Sequence, residues 1–254
     1  MSDLPQAYLS QMRHLLGDEY QAFKEVYDRP FKNGLRINTL KTTQEEFQRI
    51  NPFDLEPIPW TNSGFRFSSD PDREKPGRHP YHAAGLYYLQ EPTAMLVAEV
   101  LDPKPGERVL DLAAAPGGKA THIAALMKNK GLLVANDIDP KRVWDLAENL
   151  ERCGVRNAVI TNERPQKLAD FFGPFFDKIL VDAPCSGEAL FRKNPSSRDQ
   201  WHPNLAKGCS RRQVRILEST SQMLKPNGRL VYTTCTFTPE ENEGTIARFL
   251  KKHL

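Results

Sequence analysis

The sequence predicts an α/β protein, a doubly wound parallel sheet preceded by a small α+β domain. Three observations carry this. From residue 108 onward, short apolar runs alternate with amphipathic helical stretches. The first of these runs, Val109-Leu110-Asp111-Leu112, passes directly into a turn of small residues and a helix start. Upstream, Ser68–Pro80 is polar and rich in proline, glycine and charge, as an exposed connection would be. The expected division is an N-terminal α+β domain over 1–80, with an accessory role, and a main domain over 81–254.

Leu4 to Asp28 reads as two short helices broken at Gly17-Asp18, with Leu9, Met12, Leu16, Phe23 and Tyr27 near helical spacing and Pro30 stopping the second. Gly34–Leu40 has the pattern of a strand. Thr43 and Glu46 form a capping box that opens a short helix through Ile50. Trp60–Phe67 suggests a strand pair, and Pro92 suits the first turn of a helix reaching Leu101. Beyond a turn at Asp102–Gly106 the pattern gives strand 108–112, helix 117–128, strand 132–136, helix 140–152, strands 156–161 and 176–182, helix 206–224, strand 228–234 and helix 239–252. Gly154 closes the second of these helices, and Lys225-Pro226-Asn227-Gly228 reads as the turn before the last strand.

The 254 residues suffice for a full core, and a formal charge of +3 from 35 basic and 32 acidic residues is too weak to diagnose a nucleic-acid partner. No apolar run reaches bilayer length, and the N-terminus has neither basic flank nor apolar core, so a cytoplasmic chain without membrane contact is expected. A monomer is expected as well. The four cysteines lie far apart, which argues against a zinc site or a disulfide scaffold, and His79 and His82 lack companions at ligand spacing, so no metal is expected.

Ala113, Ala114, Ala115, Pro116, Gly117, Gly118 and Lys119 form a turn whose glycines let backbone approach a ligand at a helix N-terminus, where unpaired N–H groups favour an anionic group. Lys119 opposes the helix dipole, which makes sense if it faces a carboxylate or phosphate. A dinucleotide fold would place glycines where Ala114 to Pro116 stand. Asp137, at the tip of the next strand, can accept hydrogen bonds from both hydroxyls of a ribose. The pair therefore indicates a nucleoside without a pyrophosphate, and S-adenosyl-L-methionine fits both. Asp182 and Cys185, in Asp182-Ala183-Pro184-Cys185-Ser186-Gly187, follow another apolar strand, and Cys235 ends the last. Ligands of open α/β sheets bind beyond the carboxyl ends of strands, so a carboxylate and two thiols are expected near one cofactor. Cys153 and Cys209, on helices, read as structural thiols.

Asp111–Lys119, Phe176–Gly187 and Thr233–Thr236, in that order and spacing, resemble the RNA cytosine-5 methyltransferases of the Sun family. Gly187-Glu188 with Phe191-Arg192-Lys193, and Pro239-Glu240-Glu241-Asn242-Glu243, are similar to its bacterial 16S ribosomal-RNA branch. The resemblance implies a Rossmann-like S-adenosylmethionine-dependent sheet, with Ala113 to Lys119, Asp137 and Asp182 contacting cofactor or base, Cys235 as nucleophile and Cys185 aiding product release. It also implies a C-terminal hairpin that this sequence lacks, so the expected methyltransferase domain ends with an uncovered sheet edge. The adenine-contacting Asp common in such relatives is absent after the third strand, where Glu163 is only a neighbour.

The chemistry asks for the same parts. Cytosine C5 attacks an electrophilic methyl only after a thiolate adds to C6, a task for Cys235, and a carboxyl near N3, Asp182, would stabilise the adduct. A free thiol has a pKa of about 8.5, so Cys235 needs a positive field. On the substrate side, Arg192, Lys193 and Arg198, then Arg211, Arg212 and Arg215 on a helix, could track a phosphate backbone, with Trp201 and His202 offering stacking surfaces. The expected partner is RNA, ribosomal RNA or a ribosomal subunit, and the domain over 1–80 is expected to be RNA-binding or accessory. Competing readings are an RNA methyltransferase acting on an exocyclic amine, a non-catalytic RNA-binding assembly factor and, third, a nicotinamide oxidoreductase.

Overall fold

A computed structural model describes residues 4–29, 33–67 and 75–253. In chain order they form α1 (Gln6–Leu16), α2 (Tyr20–Glu25), β1 (Asn33–Ile37), α3 (Gln44–Ile50), β2 (Leu55–Pro57), β3 (Gly64–Phe67), α4 (Pro80–Ala83), β4 (Tyr87–Leu89) and α5 (Pro92–Leu101). The remainder is β5 (Arg108–Asp111), α6 (Gly118–Leu126), β6 (Leu132–Asn136), α7 (Pro140–Arg152), β7 (Ala158–Thr161), α8 (Pro165–Phe172), β8 (Phe176–Asp182), α9 (Pro203–Ser221), β9 (Leu224–Thr233) and α10 (Glu243–His253). Pro30 and residues 68–74 of the expected connecting loop lie outside the described residues.

Contacts group the chain into two units. A sheet unit comprises Lys32–Asp182 and Ser219–Tyr232, and a thiol unit comprises Met1–Phe31, Ala183–Glu218 and Thr233–Leu254. The sheet unit holds both sheets. One is antiparallel, in the order β2-β3-β1-β4, over a core of Leu35, Ile37, Phe47, Phe65 and Tyr87. The other has the order β7-β6-β5-β8-β9. The pairs β5–β6, β6–β7 and β5–β8 are parallel, with Asp111 opposite Ala135 on one side and Leu180 on the other. The chain leaves the central β5 toward β7 and then returns to β8, so strand order reverses between β5 and β8. Ligands of such sheets bind at the carboxyl ends beside that reversal. The helix after β5, α6, is buried nearly all round, and its Ala120, Ile123 and Ala124 lie in the core with Val109, Leu133, Ala135 and Leu146.

The thiol unit builds its own core from distant pieces of sequence. Tyr8 and Met12 of α1 pack with Tyr20, Phe191 and Trp201, the Tyr8 ring lying 4.9 Å from Phe191 and 5.7 Å from Trp201. Burial of large aromatics in edge-on contact is the main attraction here.

Several elements depart from the sequence reading. Helix α8 was not expected between residues 161 and 176. Pro165 supplies its preset first turn, Leu168 and Ala169 are its buried face, and Gly173, at φ 54°, ends it. Strand β9 begins at Leu224 and runs through the expected turn, with only Asn227 in the left-handed region at φ 64°. Strands β2 and β4 are additional; β3 pairs with β1 and β2 rather than with a strand from Trp60. The capping box is present as read: the Thr43 side chain accepts from the Glu46 N–H, and Glu46 accepts from the Thr43 N–H at 2.9 Å.

Candidate active site

Each unit carries one set of candidate residues. In the sheet unit, the turn after β5 is held from several sides. The Ala114 N–H donates to Asn136 O at 2.7 Å, Asn149 donates to Pro116 O at 2.9 Å, and Arg142 donates to Ala115 O. Gly117 adopts φ 110° as the residue before α6, a conformation that favours glycine. A Cβ on Gly117 would lie 3.2 Å from the Asn149 side chain, and one on Gly118 would lie 3.2 Å from the Tyr88 ring. These glycines therefore admit neighbouring protein. The helix N-terminus that follows them keeps its unpaired N–H donors.

Lys119 does face a carboxylate: its Nζ lies 2.6 Å from Asp182 Oδ2 at the end of β8. Asp137 is buried. Its Oδ2 accepts from the Ala115 N–H at 3.2 Å, its Oδ1 from the Asp139 N–H at 3.0 Å, and Arg142 approaches at 3.5 Å. Each oxygen keeps a second lone pair for a hydroxyl donor. Ile138, next in sequence, is 61 % exposed and presents an apolar surface at the same strand tip. The Glu163 backbone is tied to Asn136 at 3.0 Å, and its carboxylate pairs with Lys167 at 3.3 Å.

Asp111 is the residue that sequence reasoning missed. It is fully buried at the end of β5, beside the Ala113 backbone N–H and with no side-chain hydrogen-bond partner among the described residues, and its pKa is pushed up to about 7. Burial is the main cause; Lys119 pulls the value down, and Asp182 and Asp137 push it further up. The N-terminal sheet contributes to the same region through Arg36. This buried guanidinium donates to Gly118 O and to Thr121 Oγ1, both at 2.7 Å, and to the Gln90 side-chain oxygen.

In the thiol unit, Cys185 Sγ and Cys235 Sγ are 3.0 Å apart, both free thiols and half-buried. The Cys235 N–H donates to Cys185 Sγ at 3.1 Å. Hydrogen bonds from the Cys235 thiol and backbone lower the Cys185 pKa against the opposing effect of burial. Two buried glutamates tie the cysteine loops together. Glu241 accepts from the Ser186 N–H at 3.0 Å and from Gln213 at 2.9 Å, and Ser186 Oγ lies 2.8 Å from Thr236 Oγ1. Glu188 accepts from the Phe237 N–H at 2.9 Å, from Thr238 Oγ1 at 2.7 Å and from Gln11 at 3.1 Å. Both glutamates lie in stretches that carried the resemblance, but nothing in their spacing gave them a role.

The basic residues divide. Arg192 donates to Arg29 O at 2.9 Å, and Arg198 grips Phe191 O, so both are occupied holding loop backbone. Lys193, Arg211, Arg212 and Arg215 are exposed. Trp201 is buried in the aromatic core and is not a stacking surface; His202 is exposed. Cys153 and Cys209 are buried, and burial pushes the Cys209 thiol up to about 11. His79 caps α4 by accepting from the Tyr81 N–H at 3.1 Å. Among the described residues no group of three or more His, Cys, Asp or Glu could hold a metal ion, and no helix is long and apolar enough to cross a membrane.

Known proteins share this sequence pattern and fold. Residues 98–254 match the family described as 16S rRNA methyltransferase RsmB/F, and residues 4–92 match the N-terminal domain of 16S rRNA methyltransferase RsmF. The chain is 40 % identical over 251 residues to the ribosomal RNA small subunit methyltransferase F of Aliivibrio fischeri (strain MJ11), covering 94 % of this chain and 52 % of that protein. It is 38 % identical over 256 residues to the protein of that name from Escherichia coli O17:K52:H18, covering 98 % and 53 %. The chain thus spans about half the length of these curated relatives. The crystal structure of a methyltransferase homolog protein from Pyrococcus horikoshii superposes with a TM-score of 0.85 at 35 % identity, covering 98 % of this chain and 79 % of that one. The chain belongs to the 16S rRNA methyltransferase RsmB/F family, in keeping with the bacterial 16S branch that its Gly187-Glu188 and Pro239–Glu243 stretches resemble.

Proposed function

We propose that this chain takes part in methylating cytosine C5 in small-subunit ribosomal RNA, in the cytoplasm, with S-adenosyl-L-methionine as methyl donor. The observation that carries the reading is the thiol pair: two reduced cysteines in contact at 3.0 Å, one with a lowered pKa. Methylation of an exocyclic amine needs no such pair.

The residues around the β5 turn fit a cofactor of this class. A helix N-terminus can receive its carboxylate, Asp111 offers a buried carboxyl with no side-chain partner among the described residues, Asp137 has lone pairs for ribose hydroxyls, and Ile138 gives an apolar face for adenine in place of Glu163. When bound, S-adenosylmethionine supplies an electrophilic methyl group. The Cys235 thiol gives its proton to water, and its sulfur then bonds to cytosine C6, displacing the C5–C6 π electrons toward the ring carbonyl and N3. Asp182, kept in place by Lys119, hydrogen-bonds the N3–N4 edge. After C5 is methylated, a base removes the C5 proton, the electrons re-form the double bond and the Cys235 sulfur departs. Cys185, in contact with that sulfur, or a water it holds, is the group stationed to take the C5 proton.

The two thiols therefore fail differently. With radiolabelled cofactor and substrate RNA on a denaturing gel, Cys235→Ala gives unmodified RNA and no adduct. Cys185→Ala accumulates a denaturation-resistant protein–RNA complex that carries label. An adduct from Cys235→Ala alone would exchange the roles, and label in free RNA from both variants would favour exocyclic-amine chemistry.

A further inference from the structure

Beside Cys185 the thiol unit has a surface pocket of about 340 Å³, within the range of small-ligand sites, about 300–1,000 Å³. One wall is Pro184-Cys185. The other is the start of α9, where Asn204, Gly208 and Arg212, each four residues apart, stand in line on one helix face. Cys209 contributes an uncharged floor, its pKa being raised to about 11, and the exposed imidazole of His202 stands at the rim.

Gly208 lies inside the helix, where glycine weakens the structure relative to alanine. Nothing crowds it: a Cβ built there meets no atom within 4 Å. The glycine is therefore not required by packing, and what its absent side chain leaves open is the pocket. Arg212 makes no hydrogen bond or ion pair among the described residues, so its guanidinium is available to an anion.

We propose that this pocket is a subsite for one nucleotide of the RNA adjoining the target cytosine. Arg212 meets the phosphate, the Asn204 amide offers one donor and one acceptor edge to the base, His202 stacks on it, and Gly208 leaves room for the ring. The inference rests on the reading of the chain as acting on RNA, and adds a position at which sequence around the target is selected.

The test uses the whole chain and a fluorescein-labelled single-stranded RNA dodecamer of random sequence, with affinity read by anisotropy and methyl transfer by radiolabel. Gly208→Ala keeps or raises the thermal midpoint. Gly208→Met, which fills the pocket from a position with free space, weakens RNA binding by about tenfold, with S-adenosylmethionine affinity unchanged by calorimetry. Arg212→Gln weakens it similarly and lowers the salt dependence by about one counterion. Methylation with RNA binding indifferent to Gly208→Met and Arg212→Gln overturns the subsite and leaves the reaction standing. Gly208-dependent binding without methylation sustains the subsite and overturns the reaction. Absence of RNA binding by the unaltered chain overturns both.

Discussion

Asp111 and His122 face opposite consequences of burial. The Asp111 pKa of about 7 lies above its ordinary 3.8, so the folded state prefers the protonated form. Its stabilising share is fully present below about pH 4 and is lost as pH rises through 7. Asp111→Asn should therefore gain stability over the parent at pH 8, on the order of 2–4 kcal/mol, and nothing at pH 4. Parallel urea-melt profiles for the two proteins from pH 4 to 8 would refute this. His122 is depressed from 6.5 to about 4 by burial and the nearby Arg36 charge, so its contribution is present above pH 6.5 and lost as pH falls through 4. His122→Gln should flatten that acid limb in the same melts. Asp137→Ala should weaken S-adenosylmethionine about ten- to a hundredfold, since charged hydrogen bonds of this kind contribute about 1.5–3 kcal/mol; equal affinity by calorimetry would remove Asp137 from the site. Asp137 and Asp182 could be read from sequence because each closes an apolar run. Asp111 could not, because its isolation depends on Lys119, Asp182 and Asp137 meeting at one sheet edge, which only strand order determines.

At the level of elements, what was legible followed local chemistry. The capping box at Thr43, Pro140 opening α7 and Gly154 after it, at φ 73°, each satisfy backbone demands within a few residues. Helix α8 had the same signals in Pro165 and Gly173, but it is only eight residues long, and the Phe-rich stretch from Phe171 to Phe176 blurs the helical period of Leu168 and Ala169. Strand β4 is three residues long and is specified by β1, whose Leu35 and Ile37 pair with Leu89 and Tyr87. The link from β1 to α6 could not be read at all, because Arg36 looks in sequence like an exposed strand residue. Its removal leaves Gly118 O, Thr121 Oγ1 and the Gln90 oxygen without their donor. Arg36→Met should cost about 3 kcal/mol, and Arg36→Lys should recover less than half because an ammonium cannot reproduce the planar fork. A loss below about 0.5 kcal/mol in urea unfolding would mean that water replaces it.

For the molecule as a whole, the thiol unit is assembled from three separated stretches of chain. Helix α1 supplies Tyr8 to its aromatic core and Gln11 to Glu188 and Thr238, on the loops that carry the two cysteines. Tyr8→Ala should cost about 3–5 kcal/mol and raise the rate at which Cys185 and Cys235 are alkylated by iodoacetamide; unchanged alkylation would show that α1 does not brace those loops. Sequence order hid this core, since α1 by itself reads as an ordinary amphipathic helix. The arrangement also imposes a timetable on synthesis. Tyr8 and Met12 leave the ribosome long before Phe191 and Trp201 are made, an interval of about ten to forty seconds at ~5–20 residues per second. Through that interval the sheet unit's central strands can already pair, whereas the aromatic face of α1 has Tyr20, Phe23 and Tyr27 but still lacks Phe191 and Trp201. The nascent chain thus carries an uncovered apolar face on α1 until Phe191 and Trp201 emerge, and the thiol pair can form only once Cys235 has followed Cys185.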